Sequence, residues 1–257
     1  MDLSRYIGMP LLATEHGKSV DNLLAYVHWL MIILFIGWSA YFLYAVFRFS
    51  AKRNPKADYV GVKSHIGTYL EVGVALVEAV LLFGFSIPLW AKVVDRPPEG
   101  QGTVVIRMVA HQFNWTFLYP GKDGKFGRQD VSLVKTDNPL GLDKTDPLAK
   151  DDFIVEGDFQ LPVNKDVIIH LSSQDVIHSF KIVPFRITQD CIPGMSIPTW
   201  FKPTVKGRYQ INCSQLCGNG HYSMRGTLSV VEQAEFDAWI AKKSGGAAAG
   251  GGGGSYE

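Results

Sequence analysis

Two long apolar stretches near the N-terminus constrain the fold of this chain more than any other feature of its sequence. Residues 23–47 contain no Asp, Glu, Lys or Arg, and residues 72–91 carry Glu78 as their one formal charge. About 20 apolar residues are enough to cross the hydrocarbon core of a membrane, and runs of this length are rare in soluble domains. We therefore predict two membrane-spanning helices, with a buried core helix as the alternative for each run.

The charges around these runs predict their orientation. The connection between them contains Arg48, Lys52, Arg53, Lys56 and Lys63 against Asp58 alone. By the positive-inside rule, the loop of residues 48–70 faces the cytoplasm, so residues 23–95 form a hairpin and the chain from residue 96 is exported. Residues 1–22 lack the pattern of a cleavable signal peptide, and we expect them to remain as an outward-facing segment.

The pattern of the sequence changes between residue 103 and about residue 231. Short runs rich in Val, Ile, Phe and Tyr, such as "TVVIRMV", "DVIIHLSS" and "GTLSVVE", alternate there with Gly and Pro turns. Short strands at regular spacing predict a β-sandwich or barrel, in a domain of residues 96–243. We expect residues 137–158 to form a long surface loop whose acids are solvated or dock a partner. Residues 235–243 predict a short helix, and residues 244–257 a flexible Gly-rich tail.

The segment "CSQLCGNGHYSM" holds two of the three cysteines, Cys213 and Cys217, followed by His221 and Met224. A disulfide between the two cysteines would close a very short loop and leave His221 and Met224 unexplained. A zinc site would call for more Cys or His, and methionine is a poor zinc ligand. Thiolates, imidazole and thioether together favour copper.

Two thiolates are one too many for a mononuclear blue-copper site, but they can bridge two copper ions. Each copper then needs one histidine and one weak axial ligand, so a second histidine must come from elsewhere in the chain. His178, in "DVIHSFKIVPF", is the better candidate, and His111, in "HQFNWTF", is the competitor. The alternative for either residue is a buried histidine with only a structural role.

"HSFKIVPFRITQDCIPGM" and "CSQLCGNGHYSM", behind a two-helix hairpin, resemble subunit II of the haem-copper cytochrome c oxidases. The resemblance runs from about residue 23 to residue 240. It implies an all-β cupredoxin-like sandwich with the dinuclear copper centre called CuA, behind the transmembrane hairpin. The ligands it implies are His178, Cys213, the backbone carbonyl of Gln215, Cys217, His221 and Met224.

The same resemblance implies roles for residues outside the copper loop. Phe113 and Trp115 match the aromatic segment through which electrons enter, although the family usually has Trp at the position of Phe113. Glu71 matches the glutamate at the mouth of a proton channel, whereas Glu78 departs from the family pattern. The family usually has glutamate, a magnesium ligand, at Gln215, so we expect magnesium there to be weakly bound or absent.

The implied function is to accept electrons from cytochrome c or a similar donor and pass them to haem in subunit I. Oxygen reduction in that subunit is coupled to proton translocation. The implied partners are subunit I with its haem and CuB, subunit III, the electron donor and membrane lipid. A formal net charge of +1 gives no indication of nucleic-acid binding. We expect a bacterial plasma membrane, with the mitochondrial inner membrane as the alternative, and the C-terminal domain on the outer side.

Other functional classes share parts of this pattern. Quinol oxidase subunits share the fold but typically lack the copper ligands, and nitrous oxide reductase carries CuA beside a large propeller for which this chain has no room. A stand-alone, membrane-anchored copper electron shuttle is the remaining alternative. Cys191, the third cysteine, is expected to be a small buried residue.

Overall fold

The structure, a computed structural model, describes residues 8–56, 59–61, 63–95, 97–98, 100, 102–135 and 138–246. The chain divides into two compact units. One unit contains the helical residues Ser19–Lys92, and the other contains Pro10–Lys18 together with the chain from Val93 onward. A pair of long apolar helices followed by a β-sandwich confirms the predicted fold class.

The helical unit is built from the two apolar runs. The first run lies in α1 (Gly17–Arg48), which begins earlier than the run itself. The second run lies in a continuous helical stretch made of α2 (Ile66–Val80), a π-helical segment (Leu81–Ser86) and α3 (Ile87–Val94). Both stretches are long and apolar enough to cross a membrane. The rings of Tyr26 and Phe85 meet edge to face, with their centroids 5.6 Å apart.

The second unit is a sandwich of two mixed five-stranded sheets, in the orders β3-β2-β1-β5-β8 and β4-β10-β9-β6-β7. Its strands are β1 (Val104–His111), β2 (Asn114–Tyr119), β3 (Phe153–Glu156), β4 (Asp158–Pro162), β5 (Val167–Ser173), β6 (His178–Ile182), β7 (Ile187–Cys191), β8 (Ile197–Phe201), β9 (Gly207–Cys213) and β10 (Arg225–Val231). Alternate residues of β1 and β5 are buried, as strands with one face on a core require. The core between the sheets is rich in aromatic rings, and Phe117 stacks on Phe159 with a centroid distance of 4.1 Å.

The connection from β2 to β3, called the insertion below, covers the outer face of the first sheet with its described residues, 120–135 and 138–152. Leu140, Leu142 and Ala149 of this insertion are buried against Leu118 of β2 and form a second, smaller core. Because the insertion covers it, Leu118 is fully buried although it faces away from the main core. The insertion therefore extends the sandwich by a further layer.

The described part of the predicted surface loop, residues 138–158, is more than a loop, because its last residues form β3 and the start of β4. The acids of the segment also have structural roles. Asp143 pairs with Arg128, Asp146 accepts a hydrogen bond from the Leu148 N–H at 3.1 Å, and Asp151 accepts one from the Lys122 N–H at 2.6 Å. The Asp146 bond is an Asx-type bond that orders a turn locally, whereas the contacts of Asp143 and Asp151 join residues far apart in the insertion. These carboxylates therefore hold the insertion together.

Part of the N-terminal segment packs against the sandwich, which the sequence did not indicate. Ala13 is fully buried in the main core, and its N–H donates to the Pro184 carbonyl at 2.9 Å. Thr14 forms a β-bridge with Pro203, and its hydroxyl donates to the Phe185 carbonyl at 2.9 Å. Residues 10–18 are thus an added edge of the domain.

The predicted C-terminal helix is confirmed as α4 (Gln233–Gly246). Trp239 of this helix packs edge to face on Tyr119 and Phe153, with centroid distances of 5.0 and 5.3 Å. The predicted Gly-rich tail lies outside the described residues except for its first residues, which continue α4.

Candidate metal centre

The candidate ligands come together at one end of the second sheet. β9 ends at Cys213, a loop with a 3-10 turn (His221–Ser223) follows, and β10 begins directly after Met224. β6 begins at His178 and pairs antiparallel with β9, with Phe180 opposite Cys213. This pairing brings His178 beside a loop that lies far from it in sequence.

Four candidate donor groups surround the two thiols. The Sγ atoms of Cys213 and Cys217 are 3.9 Å apart. Around Cys213 lie Nδ1 of His178 at 4.0 Å and the carbonyl oxygen of Gln215 at 3.1 Å. Around Cys217 lie Nδ1 of His221 at 3.6 Å and Sδ of Met224 at 3.7 Å.

This donor set fits copper. Ligand atoms of His178, Cys213 and Cys217 lie within 4.8 Å of one another, close enough to share a metal site. All three cysteines are free, so the structure does not contain the disulfide considered above. Two soft thiols, two imidazoles, a thioether and a carbonyl are the ligand types that favour copper over zinc or magnesium. One imidazole lies beside each thiol. This arrangement suits two copper ions better than a single one.

Asp175 fixes the orientation of His178. The Nε2 of His178 lies 2.8 Å from Oδ1 of Asp175, and His178 is fully buried. Burial opposes ionisation of Asp175, but hydrogen bonds from His178, Gln112 and Val176 outweigh it and lower its pKa. A charged carboxylate at Nε2 holds the proton there and leaves Nδ1 unprotonated toward the thiols, as metal-binding histidines require.

Gln112 joins the β1–β2 turn to this centre. Its backbone N–H donates to Oδ2 of Asp175 at 2.7 Å, and its side-chain amide donates to the Cys217 carbonyl at 2.6 Å. Sequence reasoning missed both Asp175 and Gln112. Asp175 precedes His178 by three residues, a spacing that could have been noticed, but the long-range contacts of Gln112 have no local signal.

The structure does not bring His111 into the donor cluster. His111 is half-buried at the end of β1, and its Nε2 lies 3.1 Å from the Thr116 hydroxyl. Cys191 is fully buried directly opposite His178 across the β6–β7 pair, and its thiol lies 4.0 Å from the Gln189 carbonyl. Burial raises the pKa of Cys191 to about 12, so this thiol stays protonated.

Cys217, the cysteine within the ligand loop, has a raised pKa. Burial, and then the neighbouring Cys213 thiol, raise the pKa of Cys217 to about 11. Without a metal, the Cys217 thiol is therefore protonated at neutral pH. Because a metal binds the thiolate, loading of the site must release this proton.

Phe113 and Trp115 occupy different environments. Phe113 is 38 % exposed, whereas Trp115 is fully buried and meets His178 edge to face at a centroid distance of 6.3 Å. A Cβ placed on Gly220 would lie 2.5 Å from Cδ2 of Phe113, so the ring rests directly on the loop that carries the ligands. Only Phe113 of the pair has a surface that an external molecule can touch.

Of the remaining predicted residues, the two glutamates lie outside the donor cluster, whereas Gln215 belongs to it through its backbone. Glu71 and Glu78 are both in α2, and neither belongs to the donor cluster. Gln215 contributes its backbone carbonyl to the cluster, while the residue is exposed at the surface.

Several known proteins are similar in sequence to this chain. A sequence model of the family "Cytochrome C oxidase subunit II, periplasmic domain" matches residues 104–232. The "Alternative cytochrome c oxidase subunit 2" of Bradyrhizobium diazoefficiens is 32% identical over 233 residues, covering 90% of this chain and 82% of that relative. "Cytochrome c oxidase subunit 2" of Cereibacter sphaeroides is 29% identical over 251 residues, covering 90% and 80%.

A solved structure, the periplasmic domain of subunit II of cytochrome oxidase of Bradyrhizobium japonicum, is 29% identical, with 58% of this chain and 98% of that chain covered and a TM-score of 0.43. Family membership follows from the sequence matches, through their length and identity, and does not depend on this structural similarity. The chain belongs to the cytochrome c oxidase subunit II family, whose electron-transfer role in an oxidoreductase complex it shares.

Proposed function

We propose that the donor cluster holds a dinuclear copper centre, CuA. The ligands are His178, Cys213, the Gln215 carbonyl, Cys217, His221 and Met224. The observation that carries this assignment is the pair of thiols 3.9 Å apart with one imidazole and one weaker donor beside each. Bound copper supplies the capacity to take up and release one electron.

The chain's own residues keep this centre rigid. His178, Cys217 and Met224 are almost fully buried, and Asp175 and Gln112 fix the ring of His178 and the loop at Cys217. A rigid ligand set changes little between oxidation states, and this lowers the reorganisation that electron transfer requires. The burial also limits the access of water, which raises the influence of nearby charges on the reduction potential.

Electrons enter through Phe113, the exposed aromatic ring on the copper loop. It belongs to an apolar rim formed by three loops at this end of the sandwich, with Val176, Ile177, Leu216 and Tyr222 also exposed. An exposed apolar patch around a buried redox centre suits a transient protein partner. The donor is cytochrome c or a similar haem protein. Trp115 lies beneath the surface and supports His178 instead of touching the donor.

Electrons leave toward haem in subunit I, where oxygen is reduced and protons are translocated. The two apolar helices anchor the chain in a bacterial plasma membrane beside subunits I and III, with the sandwich on the outer side. Glu71, in α2, collects protons for subunit I. Gln215 is neutral and offers one side-chain oxygen, so magnesium at the interface with subunit I is weakly bound or absent.

A metal count and an EPR spectrum test the copper assignment. The full chain, purified in detergent and reconstituted with Cu²⁺ under mild reduction, should bind two copper ions and show an unpaired electron delocalised over both. Cys191→Ser should keep this signal, whereas Cys217→Ser should lose it. One copper per chain, or a spectrum localised on one ion, would show that the centre is mononuclear.

A further inference from the structure

A wide cleft lies between the insertion and the outer face of the first sheet. Its volume is about 890 Å³. Arg107 of β1 and His170 of β5 line its floor, and Phe126 and Gln129 of the insertion line its wall. None of these residues belongs to the proposed copper centre or to the apolar rim. Sites for small organic molecules commonly have volumes of ~300–1,000 Å³.

Arg107 is a cation held in place by its neighbours, and its guanidinium has one hydrogen-bond partner among the described residues. Its guanidinium lies over the Phe126 ring at 4.3 Å from the centroid, and it donates one hydrogen bond to Oε1 of Gln129. Gln129 is itself held by a bond from its amide to the Leu140 carbonyl at 3.0 Å. A guanidinium has more N–H donors than one amide oxygen can satisfy. Among the described residues, no carboxylate lies within ion-pair distance of Arg107.

His170 lies directly beside Arg107. The two residues are partners in the parallel β1–β5 pairing and are both half-buried on the outer face. Burial, and then the charge of Arg107, lower the pKa of His170. An anion placed between them would stabilise the guanidinium and the protonated imidazole together.

The described acids near the cleft, among residues 120–135 and 138–152, do not occupy these donors. Asp143 is engaged by Arg128, and Asp130 accepts hydrogen bonds from Ser132. Asp152 attracts Arg107 through space, but its hydrogen bond comes from the Gly127 N–H at 2.8 Å. On the other side of His170, its partner on β8 is the uncharged Pro198.

We propose that this cleft binds a small organic anion, with its carboxylate or phosphate group on Arg107 and His170 and its planar or apolar part against Phe126. The site goes beyond the proposed electron-transfer function, since it uses none of the copper ligands. An organic body is favoured because the cleft is larger than a bare anion requires and Phe126 gives its wall an apolar surface. Paired donors on a partly buried floor favour a charged head group.

The test uses the full chain in detergent at low ionic strength. Calorimetric titrations with ADP, benzoate and adenosine compare a phosphate, a carboxylate and an uncharged planar molecule. We expect ADP or benzoate to bind and adenosine to bind much more weakly, and the stronger anion identifies the head group. Binding should also raise the pKa of His170, measured by NMR on histidine-labelled protein. Failure of both anions to bind at millimolar concentration would overturn the proposal.

Matched variants locate the site. Arg107→Gln should weaken anion binding by about tenfold or more, the loss of one charge-assisted contact. Arg208→Gln, which removes an exposed arginine from β9 in the other sheet, should leave binding unchanged. Equal affinities in wild type and Arg107→Gln would refute the assignment. If Arg107→Gln unfolds, His170→Gln provides the same comparison. The copper content of these variants should equal that of wild type. A failure of the anion site can therefore be distinguished from a failure of the copper assignment.

Discussion

The imidazole of His178 is held between Asp175 and Cys213. Its Nε2 lies 2.8 Å from Oδ1 of Asp175, and its Nδ1 lies 4.0 Å from Sγ of Cys213. The exposed acid thus determines which nitrogen of a fully buried histidine faces the thiols. The same carboxylate accepts the Gln112 N–H at 2.7 Å, so it also connects the β1–β2 turn to the site.

Removal of Asp175 should weaken copper binding. Without the carboxylate, the His178 ring loses the partner that fixes its tautomer, and we expect Asp175→Ala to lose about tenfold or more in copper affinity. Competition with a chelator on the full chain measures this. Asp158→Ala, at an exposed position of β4, is the control. Wild-type affinity in Asp175→Ala would show that burial alone orients His178.

Replacement of the two candidate histidines should separate their roles. His178→Ala removes a donor beside Cys213, so we expect loss of the paired copper signal. His111→Ala only breaks a contact with the Thr116 hydroxyl at 3.1 Å and should keep the signal. EPR spectra and copper counts of both variants check this. Loss in His111→Ala alone would contradict the assignment.

A methyl group on Gly220 should disturb Phe113. The Cβ of Gly220→Ala would lie 2.5 Å from Cδ2 and 2.6 Å from Cγ of the ring, so the ring or the loop must move. We expect slower electron uptake from reduced cytochrome c in stopped-flow measurements, with copper still bound. The double variant Gly220→Ala/Phe113→Ala tests the cause, because without the ring the methyl group should have no further effect. If the losses of electron-uptake rate in the two single variants add up in the double variant, the effect of Gly220→Ala arises in the loop and not through the ring.

Asp152 should contribute to the stability of the folded domain at acidic pH and lose this contribution as the pH rises. Burial raises the pKa of Asp152 to about 6, against the opposing effect of the Gly127 N–H. A raised pKa in the folded state stabilises the fold below the unfolded pKa of ~4, and this contribution is lost as the pH rises through about 6.

Asp152→Asn should therefore raise the melting temperature at neutral pH, since it removes the buried charge and keeps an oxygen for the Gly127 N–H. The difference from wild type should shrink as the pH falls below the pKa of Asp152. Circular dichroism melts of the full chain in detergent, with Asp158→Asn as control, measure both. A variant that melts at or below the wild-type temperature at neutral pH would contradict this reading of Asp152.

Neutralisation of Glu71 should slow the assembled oxidase. A carboxylate can take up and release protons and an amide cannot, so we expect Glu71→Gln to lower oxygen consumption with unchanged copper content. Glu78→Gln, on the same helix, is the comparison. Unchanged turnover in Glu71→Gln would assign this residue a structural role.

The sequence by itself determined the two apolar helices and the copper loop. A run of about 20 apolar residues has no other way to satisfy its backbone in lipid than as a helix. Cys213, Cys217, His221 and Met224 lie so close in sequence that almost any compact loop brings their side chains together. Both features depend on the spacing of residues that are close together in the sequence, so they can be recognised without a structure.

The tertiary structure decided what depends on pairing between distant segments. The register of β6 on β9 places His178 at the thiols, while His111 lies at the end of a strand in the other sheet. The packing of residues 10–18 on the domain, the strand β3 within an acidic segment, and the Arg107–His170 cleft were likewise invisible in the sequence. Each arises because a contact between residues far apart in the chain depends on which segments pack together, and local residue patterns do not specify the partner segment.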